Sequence, residues 1–288
     1  MLVLKTAQSH ATSRAMSILR LPMMILVFGF LVPLAAHAAW WLSHNEAVAW
    51  HEADWSSVGL LPPARADTDA EVYVFAARTG RWKGIFAHHS WIVTKERGAS
   101  RYTRYDMVGW GNPIKVDNWA PDARWYGDAP TPVGIVRGAE AERLIPKIRS
   151  AVAQFPYRRY GDYSVWPGPN SNSFIAHVLA AIPEAGITLP PTAIGKDWRA
   201  DGQIVGLSPS RTGVQLAYAG LLGVTLAWVE GVEINVLGLV LGVDVRRPAI
   251  KLPGFGRIGM ATAEIPQRLP DRSRSRKVSR KPATNPPT

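Results

Sequence analysis

A chain of 288 residues that is 47% hydrophobic has enough apolar side chain to pack one large domain or two small ones, which excludes a disordered protein. The formal charge of +11 is no nucleic-acid signal: ten of the 33 basic residues, but only one of the 22 acidic ones, fall in residues 1–20 and 268–281, so the remainder is nearly neutral and no specific nucleic-acid binding is expected. The absence of cysteine excludes disulfides, thiolate catalysis and cysteine-ligated metals, and the seven histidines show no His-Glu-x-x-His spacing, so no metal or cofactor is expected.

Residues 1–20 hold Lys5, Arg14 and Arg20 and no acid, ahead of an uncharged run over 21–39. That run is long enough to cross a hydrocarbon core of about 30 Å as a helix, and the preceding basic residues orient it with the N-terminus in the cytoplasm. The expectation is a single-pass protein of a bacterial inner membrane with its main domain on the periplasmic side. Ala36-His37-Ala38 also has the small-x-small form of a signal-peptidase site, so a cleaved leader is the competing reading. Trp40 and Trp41 stand where an aromatic belt anchors a retained helix.

Residues 40–69 read as a juxtamembrane connector and 70–260 as one globular α+β domain. Glu71–Ala77, Ile85–Lys95 and Tyr102–Val108 have the β-branched and aromatic content of an antiparallel meander. Alternation on the middle strand puts His89 and Trp91 on one face and His88, Ser90 and Ile92 on the other. From Gly109 to Pro132 a long loop is punctuated by Trp110, Trp119, Trp125 and Tyr126, which either pin it over the core or wall a cleft for an acyl chain, a peptide or a glycan. The spacing of Leu144, Ile148, Val152 and Phe155 predicts a helix over 138–155, ended by Pro156. Arg158, Arg159 and Tyr160 follow; they either flank a cleft as anion-binding groups or are solvated at the helix exit.

The turn-forming run Trp166-Pro-Gly-Pro-Asn170 empties into Ser171-Asn-Ser-Phe174 and then into apolar residues at helical spacing, so a helix N-terminus with an anion-favouring field is expected at Ser171. Over 213–245, pieces rich in Val, Leu and Ile separated by glycines predict strands with turns near Gly220, Gly231 and Gly238, completing the sheet begun by the early strands. A second membrane crossing is the alternative, opposed by Glu230, Glu233 and Asn235. Residues 261–288 alternate Arg and Ser with Lys and Pro and read as a disordered basic tail with weak affinity for anionic lipid or polymer.

The Asn170-Ser171-Asn172-Ser173-Phe174 spelling resembles the Asn-Cys-x-x-Phe signature that opens the nucleophile helix of circularly permuted papain-like hydrolases and acyltransferases, the NlpC-like and lecithin retinol acyltransferase-like group. Phe86-Ala-His-His-Ser-Trp-Ile-Val93 lies upstream, in the permuted order, where those families carry their catalytic histidine. The resemblance implies an antiparallel sheet with the nucleophile helix packed on it, His89 as base with His88 as the alternate, and Ser171 in the cysteine slot. Asn170 or Asn172 would then donate to an oxyanion. Serine in place of cysteine implies either rewritten chemistry or lost catalysis. Gly206–Gly213 and Val243–Gly259, taken with the Asn-Ser-Asn turn, also look like a bacterial domain of unknown function, family 3750, over about residues 55–260. Two functions are weighed. One is a non-catalytic ligand-binding or scaffold domain at the cell envelope, its candidate ligand a lipid, a peptide or a peptidoglycan-type polymer, with Arg158, Arg159, Tyr160, Trp110 and Trp125 as candidate contacts. The other is a serine-dependent acyl hydrolase, acyltransferase or amidase. Oligomeric state is left open.

Overall fold

The computed structural model describes residues 20–46 and 48–263. The expectations for the first nineteen residues and for most of the basic tail lie outside that range. Helix α1, Arg20–His44, is long and apolar enough to cross a membrane and is the only such helix among the described residues. It runs on past the expected end at residue 39, because Trp40, Trp41 and Leu42 continue its hydrogen bonding.

The chain then builds two antiparallel sheets. The first has the order β4-β3-β2-β1-β5, with β1 at Glu71–Arg78, β2 at His88–Lys95, β3 at Thr103–Met107, β4 at Ile114–Val116 and β5 at Thr131–Arg137. Strand β1 sits between β2 and β5, and its apolar residues are buried on both faces. Phe75 is opposite Trp91 and Ile92 opposite Tyr105, so one face carries Tyr73, Phe75, His89 and Trp91 and the other Val72, Val74, Ser90 and Ile92. Strand β2 begins three residues later than expected, since Arg81–Ile85 close into a 3-10 turn.

Strand β5 went unforeseen because Pro132 and Gly134 argue against a strand. It is tolerated at the sheet edge, where the register shifts opposite Val74 and Phe75 and a bulge absorbs the extra residue. Gly134 is needed there: a Cβ would meet the Ile187 side chain at 2.5 Å.

Helices α2, Gly138–Gln154, and α3, Ser171–Ala180, cover one face of this sheet. Leu144, Ile148 and Val152 of α2 join Phe174, Ile175 and Val178 of α3 in a core with Val72, Val74 and Ile92. The opposite face is covered by the aromatic loop: Trp125 is buried against Phe75 and Trp91, and Trp55 packs beside it. The loop thus pins itself over a second apolar layer.

The later strands do not complete this sheet. β6 (Val205–Leu207), β7 (Gly213–Tyr218), β8 (Leu222–Ala227), β9 (Gly231–Val236), β10 (Leu239–Asp244), β11 (Ala249–Leu252) and β12 (Gly256–Gly259) form a separate seven-stranded meander in simple sequence order. Short turns fall near the expected glycines; Gly220, Gly231 and Gly238 all have positive φ, which glycine adopts without strain. The polar side of this sheet faces the molecule. There Glu233 binds Lys196 at 2.6 Å and Lys251 at 2.5 Å, while Asp197 accepts from Asn235 at 2.8 Å and from Gln215 at 3.0 Å. Of the acidic residues that opposed a membrane crossing, Glu233 is therefore an interior ion-pair partner, and the buried Glu230 carboxylate accepts from the Ser210 amide and hydroxyl.

Candidate functional site

The start of α3 is built as its sequence predicts. Asn170 is the N-cap: its Oδ1 accepts from the amides of Asn172 and Ser173, while the Ser173 hydroxyl accepts from the Asn170 amide at 2.6 Å and closes a capping box. Such a cap is worth about 1 kcal/mol. Pro167 and Pro169 both follow cis peptide bonds. Ser171 is the first helical residue and is buried. The Tyr163 phenol lies near Ser171, with no Ser171–Tyr163 hydrogen bond among the described residues. Burial pushes the Tyr163 phenol up to about 12, with the neighbouring Ser171 pulling the other way. The Tyr163 ring lies against Gly109, where a Cβ would come within 2.9 Å of it, so Tyr163 joins the segment after β3 to the start of α3.

The two asparagines flanking Ser171 are held by backbone. Asn170 Nδ2 donates to the carbonyls of Val165 and Ile194, each at 3.1 Å, and Asn172 Nδ2 donates to His88 at 2.9 Å and Ile194 at 2.8 Å. Neither amide group is left for a developing oxyanion. The Asn172 bond instead docks the α3 N-terminus onto the first residue of β2, one position from His89.

His89 is held from three sides. Its Nε2 lies 2.9 Å from Asp106 Oδ1, and its ring stacks on Trp125 with centroids 3.6 Å apart and planes 4° from parallel. Asp106 in turn receives Arg104 Nε at 2.7 Å and Nη2 at 2.8 Å, and the Arg104 guanidinium lies over the Trp91 ring at 4.1 Å. Burial alone would raise the Asp106 carboxyl, but the Arg104 charge and the His89 bond outweigh it and hold the acid below its usual range. Burial pushes His89 down despite the raising pull of Asp106. An ionised Asp106 accepts the Nε2 proton of a neutral His89, which leaves the lone pair on Nδ1, a nitrogen with no hydrogen-bond partner among the described residues.

Asp106 and Tyr163 are the residues that sequence reasoning did not name. Asp106 had a signal: alternation along β3 puts Arg104 and Asp106 on one face, and antiparallel pairing with β2 brings that face to His89. Tyr163 had none, because its partner is reached only through the turn.

Of the rest of the expected set, Trp125 and the Trp110 ring stacked on it at 6.5 Å lie beside His89, and the others are dispersed. His88 points to the helix-covered side, and burial, aided by the charge of Arg78, drives its pKa well down. Arg158 caps the Ala153 carbonyl at the end of α2, and Arg159 and Tyr160 stand exposed beside it. Trp110 is partly exposed and packs edge-on to Trp119. No contact among the described residues joins Arg158, Arg159 or Tyr160 to the tryptophans. No hydrogen bond joins Ser171 to either histidine, and no group of three metal-ligating side chains occurs among the described residues.

Buried neutral histidines make stability depend on pH. The folded pKa values of His88 and His89 lie below the unfolded value of about 6.5, so the fold favours the uncharged form. Their contribution is complete above that value and is lost as pH falls through the depressed folded pKa values. Thermal melts should show a falling Tm on acidification from neutrality, with a shallower decline in a His88→Gln, His89→Gln double variant. A Tm that stays flat from about pH 7 to about pH 5 would contradict this.

These features define an α+β domain of two antiparallel sheets behind an N-terminal apolar helix, with a buried histidine–aspartate pair beside a capped helix start. Residues 69–198 match the family model described as Protein of unknown function (DUF3750). That stretch contains the whole first sheet, α2, α3 and every residue of the site just described. No curated protein and no solved structure matches the chain.

Proposed function

We propose that the chain is a membrane-anchored extracytoplasmic domain of papain-like ancestry that serves as a binding or scaffold module at a bacterial cell envelope, with its helix start and histidine–aspartate pair kept as framework. One observation carries this reading: the side-chain amides of Asn170 and Asn172, on either side of Ser171, are both committed to backbone carbonyls, so a tetrahedral oxyanion would lack its second donor. The burial of Ser171 near the Tyr163 phenol, away from open solvent, supports it.

The second reading, a serine-dependent acyl hydrolase, acyltransferase or amidase, is favoured by His89. Its Nδ1 lone pair, set by Asp106, is what a general base needs, and the α3 N-terminus docks one residue away. A fluorophosphonate probe on the folded full-length chain separates the two. Ser171 is expected to stay unlabelled. Labelling at Ser171 that disappears in His89→Ala would overturn the scaffold reading and establish the serine enzyme.

A further inference from the structure

The seven-stranded sheet is inverted relative to a soluble protein. Alternate residues on its inner face carry the ion pairs of Glu233, Lys251 and Asp244, whereas its outer face presents Leu216, Val224, Leu226, Ile234, Ile250 and Ile258, each between 38% and 51% exposed. No outward-facing strand position in any of the seven strands bears a charged side chain. Contiguous apolar patches beyond a few hundred Å² are rare on monomeric soluble proteins and mark a surface that something covers.

The course of α1 says what covers it. Gly29 packs so closely on Leu241, an outward residue of β10, that a Cβ there would come within 2.6 Å of Leu241 Cδ2, and Phe30 beside it is buried. Further along, His37 packs edge-on to Phe255 in the β11–β12 turn at 5.1 Å, and the Trp41 indole donates to the Arg81 carbonyl at 3.1 Å. The helix is therefore no free stalk; it lies along the domain from its middle to its end. At 1.5 Å per residue Gly29 stands roughly 14 Å from Arg20, near the middle of a hydrocarbon core of about 30 Å. A spanning α1 carries the outer face of β10 to bilayer depth with it. Trp228, Arg211 and Arg246 occupy the turns at one end of the sheet, a composition suited to anionic headgroups at an interface.

We infer that the outer face of the β6–β12 sheet is a lipid-contacting surface, seated against bilayer hydrocarbon beside α1, so that the domain lies against the membrane rather than hanging from a tether. Hydrocarbon does not tolerate open strand edges, so contact is deepest at the central strands and shallow at edge strands β6 and β12. This inference is independent of what Ser171 does.

The chain's lack of cysteine makes the test direct. Single-cysteine variants Val224→Cys, Ile234→Cys and Val205→Cys, with Ser100→Cys in the exposed turn between β2 and β3 as the aqueous control, are made in the full-length protein. Each is reconstituted into phosphatidylcholine vesicles containing phosphatidylglycerol and labelled with an environment-sensitive fluorophore. Positions 224 and 234 should be blue-shifted and quenched by doxyl-labelled phosphatidylcholine, position 205 less so, and position 100 by aqueous iodide alone. Before labelling, the two central thiols should react with a water-soluble maleimide on the order of tenfold more slowly than position 100, since one such side chain gains at least ~1.4 kcal/mol on leaving water. Free reaction with maleimide and quenching by iodide at positions 224 and 234 would overturn the inference. Protection from both quenchers together with a disulfide between copies of Val224→Cys would also overturn it, assigning the face to a second copy of the chain.

Discussion

Glu233→Ala is expected to destabilise the folded chain by about 3–5 kcal/mol, the usual cost of removing one partner from a buried ion pair. Glu233 is 2% exposed and is gripped between the Lys196 and Lys251 ammonium groups, which are themselves almost fully buried. Without it, Lys251 keeps only the Glu230 carbonyl, at 2.5 Å, and Lys196 only Asp197, at 2.8 Å, so positive charge is left in a low-dielectric interior. Urea denaturation measures the loss. Glu142→Ala is the control, because its pair with Arg97 at 3.0 Å is solvent-exposed and screened, and its loss should be small beside that of Glu233. Equal losses in the two variants would show that the inner face of the second sheet is hydrated. Burial would raise the Glu233 carboxyl, but the two lysines prevail and lower it, so its contribution is present above the unfolded carboxylate pKa and is lost as pH falls through the lower folded value.

A comparable loss, again about 3–5 kcal/mol, is expected for Asp106→Ala. Asp106 and Arg104 are both inaccessible to solvent, and the substitution removes both guanidinium bonds and the Nε2 partner of His89 at once. Arg104 would retain the Ala120 carbonyl at 2.8 Å and its place over Trp91, which limits the damage without neutralising the charge. A second readout separates positioning from mere stability. Nitrogen NMR should report the Nε2–H tautomer of His89 in the native protein and a mixture of tautomers in Asp106→Asn, where the amide holds the shape without demanding that proton. A native ring already protonated on Nδ1 would remove the argument for a lone pair directed away from Asp106.

Much of the first sheet was legible because its signals are local. β-Branched and aromatic runs mark β1 to β3, alternation assigns their faces, and the proline-bounded Asn-Ser-Asn turn marks the α3 start within a residue. Strand β5 was hidden, since Pro132 and Gly134 make sense only once a bulged edge and the neighbouring Ile187 are known. Of the site, Ser171, His89 and the two asparagines were readable as candidates. Their roles were not. Asn170 and Asn172 have side chains suited equally to an oxyanion or to a carbonyl, and only the position of Ile194, more than twenty residues downstream, decides for the carbonyl.

By itself the sequence determined the apolar N-terminal helix, the α+β composition, the helix that begins at Ser171 and the turns of the late meander, because each follows from residues close together in the chain. Tertiary structure alone decided that the late strands form their own sheet, that Asp106 and Tyr163 complete the surroundings of His89 and Ser171, and that the apolar side of that sheet faces outward beside α1. The physical reason is that an alternating strand states only that its two faces differ. Which face turns inward depends on ion partners such as Lys196 that arrive from another part of the chain.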